Sequence, residues 1–244
     1  MKSKKKALIT GISGQDGAYL ASYLLSKNYE VDKILRRSSL DNRYRLKILG
    51  IEDKVNLMSI DLTEQNSISI LIKDKNYDEI YNLAAQSFVG DSWSQPVYTT
   101  NVNSLGPLYI LDAVKNFSQN SKFYQASTSE MYGLVQEIPQ TETTKLYPRS
   151  PYGVSKTFSH FLTINYRESY DLFCLSGILF NHESPLRGDE FVTKKIAKHF
   201  TEIKFGNRYI VNIIIISKTI VRTSMIAYFN AVRQYFRIIF FFPV

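Results

Sequence analysis

Tyr152 and Lys156 stand four residues apart in a run that reads as the start of a helix, so their side chains share one face. An ammonium beside a phenol lowers the phenol's pKa and makes the phenolate a usable base near neutral pH. The spacing alone is unspecific, because Tyr23/Lys27 and Tyr29/Lys33 repeat it, one inside a helix-like run and one entering a strand-like run. Tyr152 differs in its setting. Pro148-Arg149-Ser150-Pro151 precedes it, and the cluster Ser127-Thr128-Ser129-Glu130 lies upstream, with Thr128 24 and Glu130 22 residues away. That cluster falls at the C-terminal end of a strand-like run, the edge at which open parallel sheets bind ligands. A hydroxyl there relays a proton to a substrate oxygen. A carboxylate two residues on is unnecessary for hydride transfer alone and is needed if a carbon acid must be deprotonated. Taken singly, Ser127 and Thr128 suit a turn or a helix cap equally well, and Glu130 suits a solvated loop.

A second group of residues has the chemistry of a phosphate cradle. Gly11-Ile12-Ser13-Gly14-Gln15-Asp16-Gly17 follows one β-rich run and precedes the helix-like Ala18–Lys27. Glycines let the backbone turn tightly and approach a pyrophosphate, and a helix N-terminus supplies unpaired N–H groups and a positive dipole end. Three glycines also occur in ordinary turns; the strand before and helix after point to a dinucleotide. At the end of the second strand-like run, where an NAD enzyme places an acid for the ribose hydroxyls, stands Arg36-Arg37-Ser38-Ser39. Guanidinium groups and hydroxyls suit a 2′-phosphate, hence NADP, although an arginine pair is also common on solvated surfaces. Asp61-Leu62 fits an adenine-binding position, and Leu83-Ala84-Ala85-Gln86-Ser87 fits the loop beside the cofactor phosphates and ribose. Each of these fits a plain strand-end turn as well.

The elements that must position these groups alternate. Strand-like runs at Ala7–Thr10, Glu30–Leu35, Val55–Ile60, Glu79–Leu83, Lys122–Ala126 and Phe173–Leu179 are interleaved with helix-like runs at Ala18–Lys27, Glu64–Lys73, Val102–Asn116 and Tyr152–Glu168. That pattern predicts an α/β fold with a parallel sheet. A length of 244 residues suits one large domain or one domain and part of another. A single cysteine, Cys174, excludes an internal disulfide framework, and His160 and His199 have no partners at metal-ligand spacing, so no metal is expected. The net charge of +8 sits at the two ends. Lys2, Lys4, Lys5 and Lys6 carry four positive charges and residues 207–244 carry five with no acid, leaving −1 for 7–206. A basic nucleic-acid face across the folded body is not supported. The apolar run behind the N-terminal lysines stops after Ile9, which argues against an export signal, and no apolar stretch reaches membrane-span length. The cytoplasm is the expected address.

Past Gly206 the character changes. Ile210–Ile216 and Phe236–Phe242 are β-prone and aggregation-prone, without the turn signals of a continuing α/β domain. The segment 207–244 reads as sequence not selected for this fold, as a reading-frame shift would create; an unusual basic C-terminal subdomain is the alternative.

The blocks GISGQDG, RRSS, YNLAAQSFV, FYQASTSEMYG, PRSPYGVSK and GILFNHESPLRG resemble, in order and spacing, the GDP-mannose 4,6-dehydratases of the extended short-chain dehydrogenase/reductase family, over residues 7 to about 206. The resemblance implies a Rossmann-like, doubly wound parallel sheet with an incomplete C-terminal substrate lobe. It divides the chain into an NADP-binding domain at 1–190 carrying the catalytic residues, the start of the substrate lobe at 191–206, and the unmatched tail at 207–244. By that resemblance, Tyr152 takes the proton of the mannose 4-hydroxyl, Thr128 hydrogen-bonds the reacting oxygen with support from Ser129, Glu130 takes the C5 proton and then assists loss of the C6 hydroxyl, and Lys156 contacts the cofactor. Gly11, Gly14, Gln15, Asp16, Gly17, Arg36, Arg37 and Ser38 are then cofactor contacts. So are the Asp61 and Leu83 loops, with Tyr98, His182 and Arg187, while Ser87 and Asn181 lie near the substrate. The implied product is GDP-4-keto-6-deoxymannose, which feeds several deoxyhexoses, GDP-fucose among them. The partner is GDP-mannose, with no nucleic acid or membrane, and the assembly is a homo-oligomer. Family members extend well beyond this length. Two further readings therefore stay open: an inactive NADP-binding remnant, or another nucleotide-sugar epimerase or dehydratase.

Overall fold

The computed structural model describes residues 3–35 and 43–205. The expectations placed on Arg36, Arg37 and Ser38, and on 207–244, lie outside the described residues. The chain divides into two compact units, 1–186 and 187–244.

In the first unit six strands form one parallel sheet: β1 (Lys6–Thr10), β2 (Glu30–Leu35), β3 (Asn56–Ser59), β4 (Glu79–Asn82), β5 (Lys122–Thr128) and β6 (Cys174–Leu179). Their order is β3-β2-β1-β4-β5-β6. The chain winds outward from β1 in one direction and from β4 in the other, so the reversal between these two leaves a crevice at their C-terminal ends. Strand side chains alternate between faces. Leu8, Ile34, Ile80, Phe123 and Cys174 enter one core with residues of α3 (Gln65–Lys75), α6 (Gly106–Phe117) and α7 (Pro151–Tyr170). Ala7, Ile9 and Val31 enter the opposite core with Ala18, Ala21 and Leu24 of α1 (Gln15–Ser26) and Leu46 of α2 (Tyr44–Ile48). The sheet is therefore covered on both faces: the parallel α/β fold that the alternating runs predict, in the doubly wound form that the family resemblance implies. Each large side chain fully buried this way stabilises the fold by about 1.5–3 kcal/mol.

Three local departures have physical causes. The helix expected at Val102–Asn116 begins as a π-helical turn, Asn101–Leu105, before α6. Pro107 has no N–H to donate to the carbonyl four residues back, and the ladder loosens around it. The short helices α2, α4 (Val89–Ser94) and α5 (Pro96–Thr100) are too brief to show periodicity. The run read as the sixth strand, apolar in sequence, forms one of the two edge strands among the described residues, and Leu175 is exposed.

The buried stripe of α7 runs Tyr152, Lys156, Ser159, Thr163, Tyr166. The stripe that packs the helix onto the sheet is thus the one that carries the tyrosine–lysine pair. Ser150 caps its first turn, its Oγ accepting from the Gly153 N–H at 3.0 Å, with Pro151 at the first helical position. In the second unit the described residues include α8 (Val192–Lys204). No helix among the described residues is long and apolar enough to cross a membrane.

Candidate active site

The glycine loop leaves β1 in a geometry only glycine permits. Gly11 has φ +72°, and a Cβ there would stand 2.6 Å from the Ala84 nitrogen. A Cβ on Gly17 would stand 2.5 Å from the Gly11 oxygen. The loop therefore lies against the end of β4, and α1 starts after Gly14 with no side chain capping its first N–H groups. Two cavities open at the crevice. One, of about 320 Å³, is lined by Gly11, Gly14, Arg45, Leu83 and Ser87 among others. The other, of about 200 Å³, is lined by Asp61, Leu62, Tyr98 and Val102 among others. Gly11, Ala84 and Ala85 line both. Most of the predicted dinucleotide contacts in the first unit thus meet in one crevice.

Gln15, Asp16 and His182 lie together at the start of α1. The segment leaving β6 is tied to the start of α1: Gln15 Nε2 donates to the His182 carbonyl at 3.3 Å, and Ser184 Oγ donates to Gln15 Oε1 at 2.7 Å. His182 Nε2 lies 2.7 Å from Asp16 Oδ1, and its Nδ1 lies 2.8 Å from the Phe180 carbonyl. His182 is engaged with Asp16 and lines neither cavity described above. Asn181 is exposed beside it. Arg187 opens the second unit, where its guanidinium lies 3.7 Å from the Phe191 ring centroid.

Sequence reasoning missed two residues that build this crevice. Arg45 Nη1 donates to the Ser13 carbonyl at 2.9 Å and Nε to the Leu186 carbonyl at 2.7 Å, with the guanidinium over the Tyr44 ring. It braces the glycine loop against the β6 exit. Asn103, in the π-helical turn, accepts from the Gln86 N–H at 2.9 Å and donates to the Gln86 carbonyl at 3.1 Å, fixing the loop after β4. A lone arginine in a short helix carries no signal in sequence. For Asn103 the one available hint is the Gly106-Pro107 pair that distorts its helix.

At the end of β5, Thr128 caps the short turn Ser129–Met131, its Oγ1 accepting from the Glu130 N–H at 3.2 Å. The N-terminus of α7 presses onto this turn; a Cβ on Gly153 would stand 2.8 Å from the Glu130 carbonyl. Tyr152 and Glu130 are therefore on the same side of the molecule. Burial pushes the Tyr152 phenol up, a hydrogen bond with Thr128 opposes this, and the Glu130 charge adds to the rise. Lys156 is buried, donates from Nζ to the Ala126 carbonyl at 2.5 Å, and is lowered to about 8 by burial. Thr128, Ser129, Glu130, Tyr152 and Lys156 thus form one cluster at the sheet edge. A buried base, a hydroxyl beside it and a nearby carboxylate can move protons at adjacent substrate positions. Among the described residues no cluster of three or more His, Cys, Asp and Glu side chains could hold a metal ion.

The sequence model of the family described as GDP-mannose 4,6 dehydratase matches residues 8–215. The chain belongs to that family. Among GDP-mannose 4,6-dehydratases it is 52% identical over 211 residues to that of Vibrio cholerae serotype O1, covering 84% of this chain and 57% of the relative. It is 50% identical over 213 residues to that of Homo sapiens, again covering 84% and 57%. The chain thus spans little more than half the length of these relatives. Among solved structures, the dTDP-glucose 4,6-dehydratase of Streptomyces venezuelae, with NAD and TYD bound, shares the fold at TM-score 0.69 and 23% identity, covering 82% of this chain and 62% of that one. RMD from Pseudomonas aeruginosa, complexed with NADPH, superposes at TM-score 0.67 and 26% identity, covering 84% and 63%. The region matched to GDP-mannose 4,6 dehydratases contains every residue of the cluster and of both cavities.

Proposed function

We propose that the chain carries the catalytic and dinucleotide-binding core for dehydration of GDP-mannose to GDP-4-keto-6-deoxymannose, with NADP as the resident cofactor. The observation that carries this reading is the meeting of Tyr152, Thr128, Glu130 and Lys156 at the end of β5, the strand next to β4, against whose end the glycine loop lies.

The crevice fits a dinucleotide. The two places a Cβ would fill, at Gly11 and Gly17, let the backbone fold close below the uncapped start of α1, where a pyrophosphate is favoured. Gly11, Gly14, Ala84, Ala85 and Ser87 would hold the phosphates and ribose, Asp61, Leu62 and Tyr98 the adenosine, and Lys156 the nicotinamide ribose. Gln15, Asp16, Gln86, Leu83, His182 and Arg187 keep the cofactor role the resemblance assigns. Arg36, Arg37 and Ser38 support NADP over NAD through their match to a 2′-phosphate. Bound NADP would supply a reversible hydride acceptor, so that the net reaction is loss of water without net redox change.

The chain's own groups account for the protons. Tyr152 Oη takes the proton of the 4-hydroxyl, while Thr128 Oγ1, supported by Ser129, holds that oxygen. Oxidation at C4 acidifies the C5 proton, which the Glu130 carboxylate removes and then delivers to the departing C6 hydroxyl, and the proton held by Tyr152 returns to the sugar at C5, so that one water is the net loss. The Lys156 ammonium stabilises the Tyr152 phenolate against the burial that pushes the phenol up. Ser87 and Asn181 lie near the sugar in this reading, and the assembly is a homo-oligomer.

Incubation with GDP-mannose and NADP, followed by mass measurement of the sugar nucleotide, tests the proposal. Loss of one water is expected. Unchanged mass with a rearranged sugar would replace it with epimerisation. A thermal shift with NADP but no change in the sugar would reduce it to cofactor binding.

A further inference from the structure

Thr10, Asn82 and Gln125 are register partners on β1, β4 and β5, and all three are 0% exposed. Apolar residues are the rule at such positions in a sheet covered on both faces. Matched apolar side chains would fill the row without desolvating two amides. Here the row hydrogen-bonds in one direction. The Ala84 N–H donates to Thr10 Oγ1 at 3.1 Å, Thr10 Oγ1 donates to Asn82 Oδ1 at 2.6 Å, Asn82 Nδ2 to Gln125 Oε1 at 2.8 Å, and Gln125 Nε2 to the Ala126 carbonyl at 2.9 Å. The two ends force this polarity, since the Ala84 N–H can only donate and the Ala126 carbonyl can only accept. The second donor to that carbonyl is Lys156 Nζ.

We propose that Gln125, backed by Asn82 and Thr10, is a positioning residue for Lys156, holding the Ala126 carbonyl where it receives the ammonium and tying that contact to the glycine loop through Ala84. The inference rests on the dehydratase reading, in which Lys156 is the cation beside the phenolate. A carbonyl oxygen has two lone pairs; the Gln125 amide occupies one and orients the other toward Nζ. Aligned hydrogen bonds polarise one another, by about 10–30% for each bond, so the negative end of the row falls on the oxygen that faces the ammonium. The far end is Ala84, whose nitrogen is the atom a Gly11 side chain would strike. Ser159 Oγ, which donates to the Lys156 carbonyl and lies 3.5 Å from Gln125 Nε2, closes the row against α7.

Burial is the one cause lowering Lys156, to about 8. The ionisable groups on its own and neighbouring elements are Tyr152 and His160 on α7, Glu130 beyond β5, Tyr98 on α5, Asp91 on α4 and Cys174 on β6. The Ala126 carbonyl, which the Gln125 amide also contacts, is the polar partner of the buried ammonium.

The test is a carbon-13 titration of ε-labelled lysine in the full chain, with Lys156 assigned by comparison with Lys156→Met, together with kcat and KM for GDP-mannose. Gln125→Met keeps the volume and removes the donor; Thr10→Val removes the hydroxyl at the far end. Gln125→Met is expected to lower the Lys156 midpoint by roughly half to one pH unit. It is also expected to reduce kcat near neutral pH about threefold to tenfold, with KM within about twofold. Thr10→Val is expected to move the midpoint less, in the same direction. A folded Gln125→Met chain with an unchanged midpoint overturns the proposal; should that variant fail to fold, Thr10→Val decides it alone. A shift in Gln125→Met without any in Thr10→Val overturns the tie to the glycine loop. If the parent chain turns over no GDP-mannose, the dehydratase reading fails, while the titration still decides the role of Gln125.

Discussion

Replacing Lys156 by methionine separates the cost of burying an ammonium from its use. Lys156 is 3% exposed, and burial lowers it from the ordinary 10.5 to about 8. At about 1.4 kcal/mol for each pH unit, holding the charge inside the protein costs about 3 kcal/mol below pH 8. Methionine has nearly the same reach and no charge, and the Ala126 carbonyl keeps the Gln125 amide as its donor, so no acceptor is orphaned. Allowing about 1 kcal/mol for the lost ammonium hydrogen bond, Lys156→Met should be about 2 kcal/mol more stable than the parent near pH 7, and inactive. The gap should depend on pH. The unfolded chain keeps this proton up to about 10.5, whereas the folded chain releases it near 8. Between those values the unfolded state binds more protons, the parent gains stability as pH rises, and the advantage of the variant disappears. Urea unfolding followed by far-UV circular dichroism, at about pH 7 and about pH 10, measures both. A variant no more stable than the parent at neutral pH, or a gap that does not close, would refute the reasoning.

Gly11→Ala should abolish the NADP-induced thermal shift, because the new Cβ meets the Ala84 nitrogen at 2.6 Å and φ is +72°. The strain alone is about 1–3 kcal/mol. Arg45→Met removes the hydrogen bonds to the Ser13 and Leu186 carbonyls. Calorimetric titration should show dinucleotide affinity weakened about tenfold, corresponding to about 1.4 kcal/mol, and unaltered affinity would count against the brace. Tyr77→Phe deprives the buried Asp32 carboxylate of a donor at 2.8 Å while Asn56 Nδ2, also at 2.8 Å, and Lys75 remain. Unfolding midpoints in urea should fall by an amount equivalent to about 1–3 kcal/mol, with cofactor binding unchanged.

Some of this protein is determined by neighbours along the chain. The glycine loop is one case, since the turn at φ +72° demands glycine at position 11 and the Gly11 oxygen, 2.5 Å from where a Gly17 Cβ would stand, demands it at position 17. The shared face of Tyr152 and Lys156 is another, because helical geometry sets it, and Ser150-Pro151 marks the helix start within the same short stretch. The six strands are legible in the same way, through runs of β-prone residues separated by helix-like ones.

Other features arise only when distant segments meet. Arg45 is an unremarkable cation until Leu186, 141 residues later, offers a carbonyl to it. Asn82 and Gln125 read as polar flaws in apolar strands until the register of β1, β4 and β5 lines them up with Thr10. Which strands lie outermost is likewise a matter of sheet order, and among the described residues β6 takes an edge despite its apolar sequence. Backbone conformation and helical spacing depend on adjacent residues, so the sequence alone determined the loop and the tyrosine–lysine pair. A buried hydrogen bond needs both partners, and only the folded sheet decided which residues those were.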